Sequence, residues 1–96
     1  MSELTLVSPH GHSLKPLVQA AIENELRILE AGIRRAEQRI KEFESRYHLS
    51  TQDFVRKYEK DEIEESLEFA EWIGESRLLG RLREKAETLM GVKFAN

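Results

Sequence analysis

The sequence predicts an all-α chain: a long helical hairpin with a short corner helix, paired into a four-helix bundle dimer. Three observations carry that prediction. Apolar residues recur at heptad spacing after Pro16, helix-start signals cluster near residues 50 and 61, and the two long helices implied on either side match in length.

The first helix is predicted over about residues 16–47. Pro16 suits a first turn, where its missing N–H leaves no hydrogen bond unmade, and Ser13 lies upstream as a cap. Ile22, Leu26, Leu29, Ile33, Ala36, Ile40, Phe43 and Tyr47 follow alternating spacings of four and three. That spacing places them on one helical face and marks Ile22 to Phe43 as an oligomer seam. Glu23, Glu30 and Glu37 each stand four residues before a cation (Arg27, Arg34, Lys41). This orientation stabilises a helix by about 0.2–0.5 kcal/mol per pair.

The corner helix is predicted over about 51–59, with Ser50 capping toward Asp53 and Leu49 stapling across to Phe54. The third helix is predicted over about 61–90, opened by an Asp61/Glu64 capping box and stopped by Gly91. Its seam starts as Ile63, Leu67, Ala70 and Gly74 and then drifts to Leu78, Leu82, Ala86 and Leu89. Gly74 and Gly80 weaken the helix by about 1 kcal/mol each relative to Ala, which marks either a break near Gly74 or a close approach of another backbone. These elements form one helical domain over 14–92. An irregular arm precedes it over 1–13, where Leu4 to Val7 reads as a strand without an evident mate, and a tail follows over 93–96.

Composition excludes several function classes. A net charge of -3 argues against whole-protein affinity for nucleic acid or an anionic membrane. Arg34, Arg35, Arg39, Lys41 and Arg46 are interleaved with Glu30, Glu37, Glu42 and Glu44, so they form no phosphate-tracking stripe. With no cysteine, neither a disulfide nor a thiolate zinc site is possible. His10-Gly11-His12 offers two ligands where a structural zinc needs four. No Gly-rich phosphate loop, nucleophile elbow or Ser/His/Asp constellation is present. The expectation is a protein without catalytic residues, metal or cofactor. The start lacks the basic flank and apolar run of a signal peptide, and no apolar run approaches the roughly 20 residues of a membrane span. A soluble, cytoplasmic chain is expected.

At 1.5 Å per residue the two long helices span roughly 48 and 45 Å. A compact domain of this size has a radius of gyration near 12–13 Å. A two-helix hairpin covers one side of each apolar stripe, and Phe69, Trp72, Ile73 and Leu79 widen the face of the third helix further. A homodimer, or a different protein, is expected to cover the excess. Between Glu59 and Glu75 lie eight acids and one base, Lys60. Phe69, Trp72, Ile73 and Leu79, with Glu64, Glu68, Glu71 and Glu75, are therefore the candidate contacts for a basic protein partner. Two simpler readings stand beside this one. The helix dipole alone favours acids in a first half, and Trp72 at helical spacing also fits a core.

The second half carries a resemblance. Leu49-Ser50-Thr51-x-x-Phe54-x-x-x-Tyr58-Glu59, then Glu62-Ile63-Glu64, then Glu71-Trp72-Ile73-Gly74-Glu75 and the Leu79/Leu82/Leu89 series resemble small helical antitoxin-like proteins of prokaryotic toxin–antitoxin pairs. The likeness covers about residues 49–92. It departs at Lys60-Asp61, where that pattern has a glycine. The resemblance implies a protein that binds and neutralises a toxin, with Phe69, Trp72, Ile73 and the nearby acids in contact with it.

Overall fold

The computed structural model describes residues 3–4 and 14–94. Along the chain lie β1 (Glu3–Leu4), α1 (Lys15–Tyr47), α2 (Thr51–Glu59), α3 (Leu67–Met90) and β2 (Lys93–Phe94). The chain is all-α in its architecture: α1 and α3 pack along each other as a helical hairpin, and α2 turns the corner between them.

Each helix boundary has a local cause. α1 starts with Pro16 in its first turn, and Leu14 stands at the cap position without a side-chain hydrogen bond. The expected cap, Ser13, and the His10-Gly11-His12 pair lie outside the described residues. At the other end His48 takes a left-handed conformation (φ 50°), and Leu49 N–H donates back to the Glu44 carbonyl at 3.3 Å. That bond closes a Schellman turn. Ser50 follows in extended conformation, and its hydroxyl accepts from Asp53 N–H at 3.1 Å, the predicted cap of α2. α2 ends in a second closure of the same kind. Asp61 is left-handed (φ 54°), Asp61 N–H donates to Tyr58 O at 3.2 Å, and Glu62 N–H donates to Lys57 O at 2.9 Å.

That closure corrects the predicted start of the third helix. α3 begins at Leu67, not near Asp61, because Asp61 and Glu62 spend their N–H groups ending α2. The working cap is Ser66, extended at φ -149° and ψ 163°, whose hydroxyl accepts from Phe69 N–H at 3.1 Å. Ile63 therefore packs on the core from a non-helical segment, and Leu67, expected on the seam, is 90% exposed. The helix runs unbroken through Gly74 and Gly80. A Cβ at either glycine would meet no heavy atom within 4 Å, so neither marks a close approach inside this chain. The close approach is at Gly32, where a Cβ would stand 3.2 Å from Leu82 Cδ1.

The cross-helix partners fix an antiparallel hairpin: Arg46 reaches Glu68, Arg39 reaches Glu71, and Glu37 accepts from Arg83. The result is a rod of 60 × 22 × 18 Å with a radius of gyration of 19.0 Å. At its open end β1 pairs in parallel with β2, Glu3 opposite Lys93 and Leu4 opposite Phe94. The Leu4 end of the expected Leu4 to Val7 strand thus has a mate in β2, and residues 5–7 lie outside the described residues.

The core is concentrated at the corner. Ala36, Ile40, Phe43, Phe54, Trp72, Ile73 and Leu79 are buried together, with Ile33, Tyr47, Leu49, Tyr58, Ile63 and Phe69 packed around them. Every predicted seam residue from Ile22 to Tyr47 is buried or half-buried. The seam is occupied by α3 of the same chain.

Candidate interaction surfaces

Three elements build the aromatic corner. α1 brings Phe43 and Tyr47 one turn apart on its seam, α3 brings Phe69 and Trp72, and α2 lays Phe54 across the end. Trp72 is fully buried and stacks on Phe54 with ring centroids 3.9 Å apart at 3°. It lies nearly parallel to Phe43 as well, at 5.4 Å and 11°. Tyr47 meets Phe69 edge-on at 5.0 Å. The indole N–H donates to Thr51 Oγ1 at 2.9 Å, so the one polar atom of Trp72 is satisfied inside the chain.

A shell of charge closes over one side of this corner. The Arg39 guanidinium sits 4.4 Å from the centre of the Phe43 ring. Its Nε donates to Glu71 at 2.9 Å and its Nη1 to Glu42 at 3.0 Å. Those two hydrogen bonds, to Glu71 first and then Glu42, raise the Arg39 pKa above its usual value. Glu68 accepts from the Tyr47 hydroxyl at 2.8 Å and pairs with Arg46. The Tyr47 hydrogen bond, with Arg46 second, holds the Glu68 carboxyl below its usual range against an opposing desolvation. The same bond pushes the Tyr47 hydroxyl up. On the opposite side, Glu44 accepts from Thr51 N–H at 2.7 Å, tying the end of α1 to the start of α2.

Four of the candidate partner contacts lie within the single chain's own packing. Trp72, Ile73 and Leu79 are 0%, 6% and 8% exposed, and Phe69 is half-buried beneath Tyr47 and Phe54. On a hairpin of two helices alone these side chains would be in excess. α2 is a third wall: its Phe54 covers Phe69 and Trp72 and its Thr51 accepts from the indole, while Ile73 and Leu79 are buried in the same core. Among the acids, Glu68 and Glu71 are engaged with Arg46 and Arg39. Glu64 is exposed, Glu75 is half-buried, and among the described residues neither pairs with a cation. No three His, Cys, Asp or Glu side chains among the described residues converge as metal ligands. No helix there is long and apolar enough to cross a membrane.

The surface that stays open lies elsewhere. Leu17 and Ile28 are 68% and 58% exposed on the first half of α1, on the side away from α3. With Ala21, Asn24 and Ala31 they occupy positions 17, 21, 24, 28 and 31, again spaced four, three, four, three, and all five are exposed. Ala20 widens the stripe, and Arg34 and Arg35 end it. By the 100° step of a helix this second stripe sits about 150° around α1 from the seam residues beside it, Ile22 to Ile33. In the sequence it is masked by the longer and more apolar seam on the same helix. Its alternating spacing was the available signal. Near the open end Met90 adds a further exposed apolar side chain, at 67%.

No family model, curated protein or solved structure matches the chain. The functional reading therefore rests on these surfaces.

Proposed function

We propose that this chain is a protein–protein interaction module that binds through the outer stripe of α1. One observation carries the reading: a second heptad-spaced stripe, Leu17-Ala21-Asn24-Ile28-Ala31, is exposed on a helix whose first seam is already filled. A helix apolar on two sides gains by packing between two neighbours, and among the described residues its own chain supplies one, α3. The test is co-expression with the product of the adjacent gene, using wild type and a Leu17→Asp/Ile28→Asp variant. The reading expects a complex that the variant loses while its helix content is unchanged. A complex indifferent to both substitutions would refute it.

A second form of this reading has its own support. Glu59, Asp61, Glu62 and Glu64 are exposed around the turn before α3 and have no cation partner among the described residues. They suit a basic partner, in keeping with the antitoxin-like resemblance, and neutralising such a toxin places the chain in the cytoplasm. In that case Trp72 and Ile73 serve to hold the turn in place and do not touch the toxin. Rescue of growth from the adjacent gene's toxicity by wild type, and loss of rescue when these four acids become Gln or Asn, would support it. Equal rescue by both would exclude it.

A further inference from the structure

We infer that the occupant of the outer α1 stripe is a second copy of this chain, packed antiparallel with the two helices crossing at Asn24. The inference rests on the interaction reading above and names its partner. Its ground is the order of side-chain sizes along the stripe. Leu17 and Ala31 lie seven residues to either side of Asn24, and Ala20 and Ile28 lie four to either side. An antiparallel pair centred on Asn24 therefore sets Leu17 against Ala31 and Ile28 against Ala20, a large side chain against a small one at each level. That alternation is how facing helical layers interdigitate without voids. A parallel pair would instead stack Leu17 on Leu17 and Ile28 on Ile28 and leave the alanine levels empty.

Asn24 fits the crossing point chemically. Its amide carries both donors and acceptors, so two copies on a twofold axis satisfy one another. In the single chain its oxygen accepts only a long bond, 3.3 Å, from the neighbouring Arg27. A polar residue at one level of an otherwise apolar seam fixes register at a cost in affinity. Arg27 lies four residues before Ala31 on the stripe's flank and would extend its aliphatic stem over Ala20 of the copy. One flanking contact is unfavourable: Glu25, half-buried in the single chain, approaches Glu25 of the copy beside the axis. The stripe opposes the seam, so the dimer is a row of four helices with the two α1 helices inside, not the closed four-helix bundle expected from the sequence. The contact runs about 21 Å, at the small end for specific interfaces, and the dimer is accordingly weak.

Sedimentation equilibrium on the full chain tests this between about 10 µM and about 1 mM, a range that brackets weak association. A monomer–dimer equilibrium is expected. Ile28→Asp should weaken it at least about ten-fold while leaving the thermal melt of the monomer unchanged, since Ile28 is 58% exposed there. Glu25→Gln should tighten it about two-fold by removing the like charges at the axis. Because the chain has no cysteine, Leu17→Cys and Ala31→Cys variants give an orientation readout. Mixed under oxidation, they should cross-link to each other and not each to its own kind. A chain still monomeric at the highest concentration, a dimer untouched by Ile28→Asp, or cross-linking of Leu17→Cys to itself would each overturn the inference. Capture of the adjacent gene product through the stripe with no self-association would overturn the second copy alone and leave the interaction reading standing.

Discussion

Phe54→Ala isolates what holds the corner together. Phe54 is the one buried residue of α2, fully buried and stacked 3.9 Å from Trp72. A nine-residue helix is well below the length that is stable alone in water, so α2 depends on this ring for its place. Removing a buried Phe side chain costs about 3–5 kcal/mol, and the lost stacking puts this site toward the upper part of that range. A chain of this length has a total stability on the order of 5–14 kcal/mol. The variant should therefore lose a large share of its urea resistance, and the emission of Trp72 should move to longer wavelength as one face of the indole meets water. Urea titration followed by circular dichroism and by tryptophan emission reads both effects, with Leu67→Ala as the control at a 90% exposed site, expected within about 0.5 kcal/mol of wild type. A Phe54→Ala variant within about 1 kcal/mol of wild type, well short of the cavity cost, would refute the argument that α2 seals the core.

Ser66→Ala should cost about 1 kcal/mol by removing the cap that accepts from Phe69 N–H, whereas Asp61→Ala should leave the start of α3 in place. Gly74→Ala should stabilise the chain by about 0.5–1 kcal/mol, because it sits mid-helix with open space around it. Gly32→Ala should gain less, since its new methyl meets Leu82. The Glu68 carboxyl is lowered from 4.5, so its contribution to stability is present above that value and is lost as pH falls through the folded pKa. The Tyr47 hydroxyl is raised from 10.0, so its contribution is present below that value and is lost as pH rises through the folded pKa. Tyr47→Phe should flatten both limbs of the urea midpoint against pH, and a variant with unchanged limbs would contradict the shared bond.

Local chemistry made much of the fold legible. The α1 seam and the Ser50 cap each follow from residues adjacent in sequence. α3 also ends at Met90 as expected, but Gly91 is right-handed there (φ -85°), so the stop does not use the left-handed turn a glycine offers. The start of α3 did not follow, because two cap patterns compete within six residues. Asp61/Glu64 matches the simpler motif, but the left-handed turn at Asp61 commits that segment to ending α2, which leaves Ser66 to open α3. The candidate site was harder for a different reason. Whether Trp72 is a core residue or a contact depends on where α2 lies, and the placement of Phe54 over the indole is a tertiary fact that no local spacing encodes. The outer α1 stripe was legible in principle, since Leu17, Ala21, Asn24, Ile28 and Ala31 keep heptad spacing. Its alanines and its asparagine gave it too little hydrophobicity to compete with the seam.

Acrylamide quenching of the single tryptophan in the Ile28→Asp variant tests the central claim most directly, because that substitution disfavours the proposed self-association. With the corner sealed within one chain, Trp72 should be strongly protected at every concentration and give the same quenching constant as wild type. A tryptophan that is freely quenched in the monomer and becomes shielded only on association would contradict the account and return Trp72 to the interface.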